Sequence, residues 1–257
     1  MAKRKQTDRK LELIFGGVVL VVLLAIVIPL LVQSQSGSTG TDKPPQAEGT
    51  GSDDAAQSEG DVSDQLPQPA RTGLDVPLDA DDQTLGEEKA PVTVFEFSDY
   101  QCPACQMSVQ MLHPTLKKLI DDGDVRYVFK DYPLNMHPNA PQAAVAARAA
   151  GEQGEYWAMH DLLFAQQQEW AKLADDDFRK KLLDYAQELG LDEATFEKAL
   201  KSKTLKTQVD NGRQLANDLN IEFTPTFVIG GAVYEEGLSV EQLRAIVQDE
   251  KSKKSKP

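Results

Sequence analysis

Residues 92–106 read VTVFEFSDYQCPACQ, and this stretch joins a strand pattern directly to the start of a helix. The segment 92–97 is rich in β-branched and aromatic residues, which is typical of a buried strand. From Cys102 onwards apolar residues recur at helical spacing, so we expect a helix that starts near Cys102 and ends before Gly123. A strand followed by a helix in this way is the first half of a βαβ unit.

The rest of the chain towards its C-terminus continues a mixed α/β pattern. Residues 125–130 predict a second strand, joined to the first by a parallel crossover connection. A helical block follows over about residues 131–220. Residues 226–230 and 233–234 then predict an antiparallel hairpin, and a final helix begins at Ser239 with a capping box. The pattern predicts an α/β fold in which a small mixed sheet carries helices on both faces and a helical insertion.

Two segments precede the globular domain, which we expect over residues 74–250 after a linker. Residues 13–32 form a run of 20 uncharged residues, which at ~1.5 Å per residue spans a hydrocarbon core of ~30 Å. The basic segment 1–12 marks the cytoplasmic side of such an anchor, so we expect the remainder of the chain outside the cytoplasm. A cleaved signal peptide is the alternative, and it too would export the domain.

Residues 33–73 are dominated by small and polar residues and lack the apolar surface that would offset the entropy of ordering them. We therefore interpret them as a flexible acidic linker. The chain has 41 acidic and 27 basic residues, a formal charge of −14, and residues 33–90 hold most of this excess. The acidic balance argues against nucleic-acid binding, which needs a basic face. Residues 251–257 are expected to form a solvated basic tail.

The two cysteines of the chain are Cys102 and Cys105, in the sequence CPAC. At the first turn of a helix this spacing allows a disulfide. Cys102 lies at the helix start, where free N–H groups and the macrodipole lower the pKa of a thiol and favour the attacking thiolate. Pro103 suits the first helical position, and Ala104 follows it. Cys105 faces the apolar stripe, so we expect the less exposed thiol there, the one that resolves a mixed disulfide formed at Cys102.

Three other roles for the cysteine pair fit the sequence less well. A zinc site needs a second pair of ligands, but His113, His137 and His160 are scattered and are interpreted as helix caps or packing residues. Covalent haem attachment needs a histidine directly after the second cysteine, where Gln106 stands. A purely structural disulfide would close a very short loop and restrain the unfolded chain little. We expect no metal, and no cofactor besides the redox-active disulfide.

The motif FEFSDYQCPACQ at 95–106, with TPTFVIGG at 224–231, resembles the thioredoxin fold. The helical insertion makes the chain similar to the DsbA-like thiol–disulfide oxidoreductases, in particular to membrane-anchored, exported members. The resemblance covers about residues 75–250. The segments DYPL at 131–134 and EYWAMHD at 155–161 match the same group.

The resemblance implies three further site residues. Thr224 and Pro225 match a cis-proline loop that faces the cysteine pair and presents its backbone to an extended substrate. A trans proline at the start of an edge strand is the alternative. Glu96 stands where the family carries a buried acid, whose raised pKa would let it exchange a proton with Cys105. Strand alternation leaves a solvent-facing Glu96 open as the alternative.

The resemblance also implies a function. It predicts a membrane-anchored enzyme outside the cytoplasm that oxidises the dithiols of exported proteins to disulfides. Its partners would be exported cysteine-containing proteins and a membrane electron acceptor that reoxidises the pair. Two alternatives remain open: an exported reductase or isomerase, for instance in cytochrome c maturation, and a non-enzymatic, tethered, chaperone-like binding domain.

Overall fold

The structure, a computed structural model, describes residues 66–235 and 237–255. The predicted anchor at 13–32, the basic segment 1–12 before it and most of the predicted linker lie outside the described residues. Within the part that is described, no helix combines the length and the apolar character needed to cross a bilayer.

A five-stranded mixed sheet forms the centre of the domain. Its strands are β1 Gln83–Leu85, β2 Val92–Ser98, β3 Val125–Asp131, β4 Thr226–Ile229 and β5 Ala232–Tyr234. They lie in the order β1–β3–β2–β4–β5, so β2 is the central strand. β2 and β3 are parallel, and the other neighbours are antiparallel. The short strand β1 is not predicted from the sequence, since three half-buried or exposed residues at a sheet edge carry too little pattern to indicate a strand.

Eight helices surround the sheet in the described residues: α1 Pro103–Asp121, α2 Ala140–Gly151, α3 Tyr156–Ala165, α4 Gln167–Trp170, α5 Asp175–Glu188, α6 Glu193–Ala199, α7 Lys203–Asp218 and α8 Val240–Ser255. α1 makes the parallel crossover from β2 to β3, and α2 to α7 form the helical insertion between β3 and β4. This is the thioredoxin-like α/β fold that the sequence predicted.

The two faces of β2 pack against different helices. Val94 shares one core cluster with Leu112 of α1 and Ile246 of α8. Phe97, on the opposite face, shares a second cluster with Ala216 of α7. Because side chains alternate along a strand, even-numbered residues of β2 face α1 and odd-numbered residues face α7. The face towards α1 is the one that carries Glu96.

The folded domain begins before residue 74, where the sequence analysis placed its start. The backbone N–H of Ala70 donates to the carbonyl of Val233 at 2.8 Å, and Arg71 forms a β-bridge with the same residue. Leu66 packs against the main core cluster. The end of the predicted linker therefore covers the edge of β5, a role that its prolines and polar residues do not reveal in the sequence.

The final helix extends further than predicted. The reciprocal capping box at its start is confirmed: Gln242 N–H donates to Ser239 Oγ at 3.2 Å, and Ser239 N–H donates to Gln242 Oε1 at 2.8 Å. α8 then continues to Ser255, through residues expected to form a solvated tail. Lys251 pairs with Asp124 at the foot of β3, and this contact anchors the last turns.

Glutamine side chains tie the start of α1 to the helical insertion. Gln167 Nε2 donates to the carbonyls of Tyr100 at 2.8 Å and Cys102 at 2.9 Å. Gln106 Nε2 donates to the carbonyl of Phe164 at 2.8 Å. Both side chains are buried, so these bonds satisfy carbonyl groups that water does not reach. The loop before the cysteine pair is thereby held from the insertion side.

We expect Gln167→Ala to lower the free energy of unfolding by about 2 kcal/mol, because it removes a buried donor from two carbonyls. Among the described residues, the Tyr100 carbonyl is left without a partner, and the Cys102 carbonyl keeps only the N–H of Gln106. Gln187→Ala is the matched control, since Gln187 is an exposed glutamine on α5, and it should change stability by less than about 0.5 kcal/mol. Denaturant unfolding of both variants measures the difference. Equal effects would show that Gln167 does not clamp this loop.

Candidate active site

The cysteine pair lies at the junction of β2 and α1. Cys102 is the N-cap residue of α1, with extended backbone angles, and Pro103 occupies the first helical turn. Pro103 and Ala104 are exposed, whereas Cys102 is 7% and Cys105 0% exposed. Cys105 is thus the less accessible thiol, as its place on the apolar stripe predicts. Both are free thiols in this structure.

The two thiols have opposite acidities. The hydrogen bond from the Cys105 thiol is the largest influence on Cys102; against the cost of burial, and together with Thr224 and the N–H groups of Cys105 and Ala104, it lowers the pKa of Cys102 to about 6. Burial, followed by the bond and charge of Cys102, raises the pKa of Cys105 well above its ordinary value. At neutral pH the pair therefore holds its negative charge at Cys102, the sulfur nearer the surface.

Thr224 and Pro225 lie against the cysteine pair, and the peptide bond between them is cis. The Cys102 thiol donates to the Thr224 carbonyl at 3.5 Å. The Thr224 hydroxyl is buried, has no other hydrogen-bond partner in the described part of the chain, and helps to lower the pKa of Cys102. Both polar groups of Thr224 therefore act on the same sulfur.

Glu96 is fully buried on the central strand, so the alternative of a solvent-facing carboxylate is wrong. Tyr127 donates its hydroxyl hydrogen bond to Glu96 Oε2 at 2.8 Å, and His113 Nε2 lies 3.5 Å from the same oxygen. The resemblance predicted a raised pKa for Glu96, but the pKa of this carboxyl is lowered. Burial raises it, but the hydrogen bond and charge of His113 and the Tyr127 hydroxyl outweigh that effect. Glu96 is therefore an ionised carboxylate at neutral pH and not a protonated acid.

Asp99 is a site residue that the sequence analysis missed. Its backbone N–H points to the Cys105 sulfur at 3.5 Å, and its carbonyl accepts the N–H of Cys102 at 3.1 Å. Its buried carboxylate accepts the N–H of Gln101 at 2.7 Å and lies 2.8 Å from His137 Nδ1. Burial raises the pKa of Asp99 in spite of these bonds. The sequence offered a signal for Asp99, because an aspartate whose side chain accepts the N–H of the residue two positions ahead is a common turn former.

Two of the three histidines that look scattered in the sequence lie together. The rings of His113 and His160 are stacked with centroids 5.5 Å apart and planes within 2°, and their polar atoms and those of Asp161 lie within 4.8 Å of one another. Nitrogen lone pairs lie in the ring plane, so two parallel stacked rings cannot both direct one at a single ion. His160 Nδ1 instead pairs with Asp161 at 2.8 Å. We assign no metal to this cluster.

The acidity of Cys102 gives a direct test of the site. In the reduced protein, the alkylation rate of Cys102 should follow a thiolate with a pKa of about 6. Cys105→Ala removes the main hydrogen-bond donor and should raise the pKa of Cys102 towards ~8.5, the value of a free thiol. Thr224→Val should raise it by less. Thr115→Val, on α1 but bonded to Arg244 rather than to a cysteine, should leave it unchanged. An unaltered pKa in Cys105→Ala would contradict the proposed cause.

Comparison with known proteins agrees with this geometry. The thioredoxin family model matches residues 79–249. A Na(+)/H(+) antiporter NhaA 1 from Salinispora arenicola is 38% identical over 177 residues, which cover 68% of this chain and 26% of that protein. The chain therefore spans about a quarter of the length of that relative. The disulfide bond formation protein D of Bacillus subtilis is 29% identical over 177 residues, 65% of this chain and 75% of that protein.

A solved structure gives the same result. The crystal structure of oxidised BdbD from Bacillus subtilis superposes with a TM-score of 0.58 and 27% sequence identity, covering 66% of this chain and 93% of that one. The similarity to DsbA-like thiol–disulfide oxidoreductases that the motifs predicted is thus confirmed in sequence and in structure. This chain belongs to the thioredoxin family.

Proposed function

We propose that the chain is an extracytoplasmic thiol–disulfide oxidoreductase that oxidises the dithiols of exported proteins. The observation that carries this proposal is the unequal cysteine pair, with an acidic thiol at the start of α1 and a buried, weakly acidic thiol one turn later. A non-enzymatic staple has no need of such a difference. The relative named for disulfide bond formation supports the same activity.

The reaction follows from this geometry. A substrate thiolate attacks the Cys102 sulfur, the Cys102–Cys105 bond breaks, and Cys105 leaves with the bonding electron pair. The Thr224–Pro225 loop beside Cys102 offers a backbone edge on which an extended substrate segment aligns. A second substrate thiolate then attacks the mixed disulfide and displaces Cys102 as a thiolate. The substrate loses two electrons and the cysteine pair gains them.

The acidity of Cys102 supports the oxidising direction. A thiolate that is stabilised in the reduced enzyme makes the disulfide a stronger oxidant, by ~30 mV for each pKa unit. A pKa of about 6 lies between those of thioredoxin, ~7, and DsbA, ~3.5. We therefore expect a reduction potential between about −270 and −120 mV, the values of these two proteins.

The N-terminal sequence supports a location at the outer face of a membrane. The apolar run 13–32, with basic residues before it, has the length and flanking charge of an anchor whose C-terminal side is exported. The acidic linker after it would let the domain reach its substrates. Reoxidation of the cysteine pair then requires an electron acceptor in or at the same membrane.

Trapping of substrates tests the activity. Cys105→Ala leaves Cys102 without a resolving thiol, so it should accumulate mixed disulfides with exported cysteine-containing proteins in cells. Cys102→Ala is the matched control and should trap none. Non-reducing electrophoresis with identification of the trapped chains gives the readout. If Cys105→Ala also traps nothing, the non-enzymatic binding domain becomes the better interpretation.

The reduction potential tests the direction. Equilibration of the full chain with glutathione buffers should give a value within the range above. A value near or below about −300 mV would make the reduced enzyme a strong donor and would favour the reductase alternative.

A further inference from the structure

A line of buried polar groups continues from the cysteine pair along β2. Ser98 and Glu96 are both buried and, as alternate residues, share the face towards α1. Ser98 directly precedes Asp99, whose N–H lies 3.5 Å from the Cys105 sulfur, and the Ser98 side chain helps to lower the pKa of Cys105. Ser98 Oγ and Glu96 Oε1 are buried and have no hydrogen-bond partner within the described residues. Polar groups therefore lead from the buried thiol into the middle of the sheet.

From Glu96 the line continues to the surface. Tyr127 and His113 both approach Glu96 Oε2, at 2.8 and 3.5 Å, and the Tyr127 hydroxyl lies 3.4 Å from His113 Nε2. The three groups form a closed triangle of hydrogen-bonding atoms. Glu96 is fully buried, but the side chain of His113 is 20% exposed. His113 is the member of the triangle through which protons can enter from water.

His113 reaches water through a mostly apolar cavity of about 460 Å³ that it lines together with Tyr127, Trp157 and Lys117. Leu85 of β1 also lines the cavity, and the cysteine pair is not among its lining residues. The cavity is therefore separate from the surface at Cys102, where a substrate would bind for exchange.

We propose that His113 is the entry and exit point of a proton relay that serves the buried Cys105 through Glu96 and Ser98. The proposal rests on the thiol–disulfide exchange proposed above. When the Cys102–Cys105 bond breaks, the Cys105 sulfur leaves as a thiolate in a fully buried position. An unpaired charge there is costly, so the sulfur must take up a proton as it leaves.

The proton balance assigns each group a part. His113, as an imidazolium, gives its proton to the Glu96 carboxylate, and the proton passes from Glu96 through the Ser98 hydroxyl to the Cys105 thiolate. His113 is then a neutral imidazole and takes a new proton from water in the cavity. Reoxidation runs the same path backwards: the Cys105 thiol loses its proton, and neutral His113 carries it away. His113 does not touch the sulfur atoms and acts only through Glu96.

The surroundings of His113 are compatible with this role. Glu96 and Tyr127 face it from the sheet, and His160 and Asp161 face it from α3. Lys117 lines the same cavity from the next turn of α1. Burial lowers the pKa of His160. Both histidines lower the pKa of Glu96, and His113, which also lies within hydrogen-bonding distance of the carboxylate, has the larger effect. Histidine is the side chain whose charge ordinarily changes between pH 5 and 8.

His113→Gln keeps a hydrogen-bonding side chain but cannot carry a titrating proton, and it is the main test. Rates of the two half-reactions should be measured from pH 5 to 8 with a dithiol peptide as reductant and a small disulfide as oxidant. For reduction, we expect His113→Gln to be slower than wild type by about tenfold at pH 5, with the difference vanishing towards pH 8. For reoxidation the deficit should show the opposite pH dependence, because neutral imidazole is then the acceptor.

Lys117→Gln is the matched control, since it removes a positive charge from the same cavity and helix without facing Glu96. It should follow the wild-type rates at every pH. Tyr127→Phe keeps the ring but removes the hydroxyl, and it should slow both half-reactions by a smaller factor than His113→Gln. Exogenous imidazole, admitted by the cavity, should restore most of the lost rate in His113→Ala and leave Lys117→Gln unaffected.

The outcomes separate this inference from the function on which it rests. If the wild-type chain does not exchange disulfides at all, the proposed activity fails. If the wild-type chain exchanges them but His113→Gln behaves as Lys117→Gln does, or imidazole restores no rate in His113→Ala, the relay is refuted while the activity stands. Should His113→Gln fold poorly, the opposite pH dependence of the two half-reactions in the wild-type chain remains a test, and its absence would also refute the relay.

Discussion

The chemistry of this protein depends on the direct junction of β2 and α1. Because the helix begins at Cys102, its free N–H groups, the Thr224 loop and the Cys105 thiol converge on one sulfur and lower its pKa to about 6. The first turn of α1 also buries Cys105, and this burial raises the pKa of Cys105. Asp99 accepts the backbone N–H of Cys102 and Gln167 donates to the Cys102 carbonyl, so both residues hold this junction. A single backbone connection thus creates an acidic thiol at Cys102 and a buried, weakly acidic thiol at Cys105.

The buried carboxylate shows how neighbours can reverse the effect of burial. Glu96 lies on the central strand with no exposed surface, a position that by itself raises the pKa of an acid. His113 and Tyr127, from α1 and β3, reverse this shift. In the proposed relay, a carboxylate that is ionised at rest accepts a proton from His113, the neighbour with access to water, and passes it on.

Much of the fold could be predicted, because β2, β3, β4 and most helices carry strong periodic patterns. The elements missed were the short strand β1 and the bridge at Arg71, both at sheet edges, where few apolar contacts leave a trace in the sequence. The last helix likewise extends beyond its predicted end, where Lys251 forms an ion pair with Asp124. The edges of the sheet and the ends of the helices depend on contacts with residues distant in the chain, and these contacts cannot be predicted from local composition.

For the site, the sequence by itself determined the chemistry: a CPAC motif at a helix start, with a Thr-Pro pair and an acid on the preceding strand. These residues are local in the chain or lie in recognisable motifs. Only the tertiary structure decided the electrostatics. Asp99 pairs with His137 and Glu96 with His113 across separate elements, and a pKa responds to atoms a few ångströms away rather than to neighbours in sequence. The charge on Glu96 was therefore decided by packing.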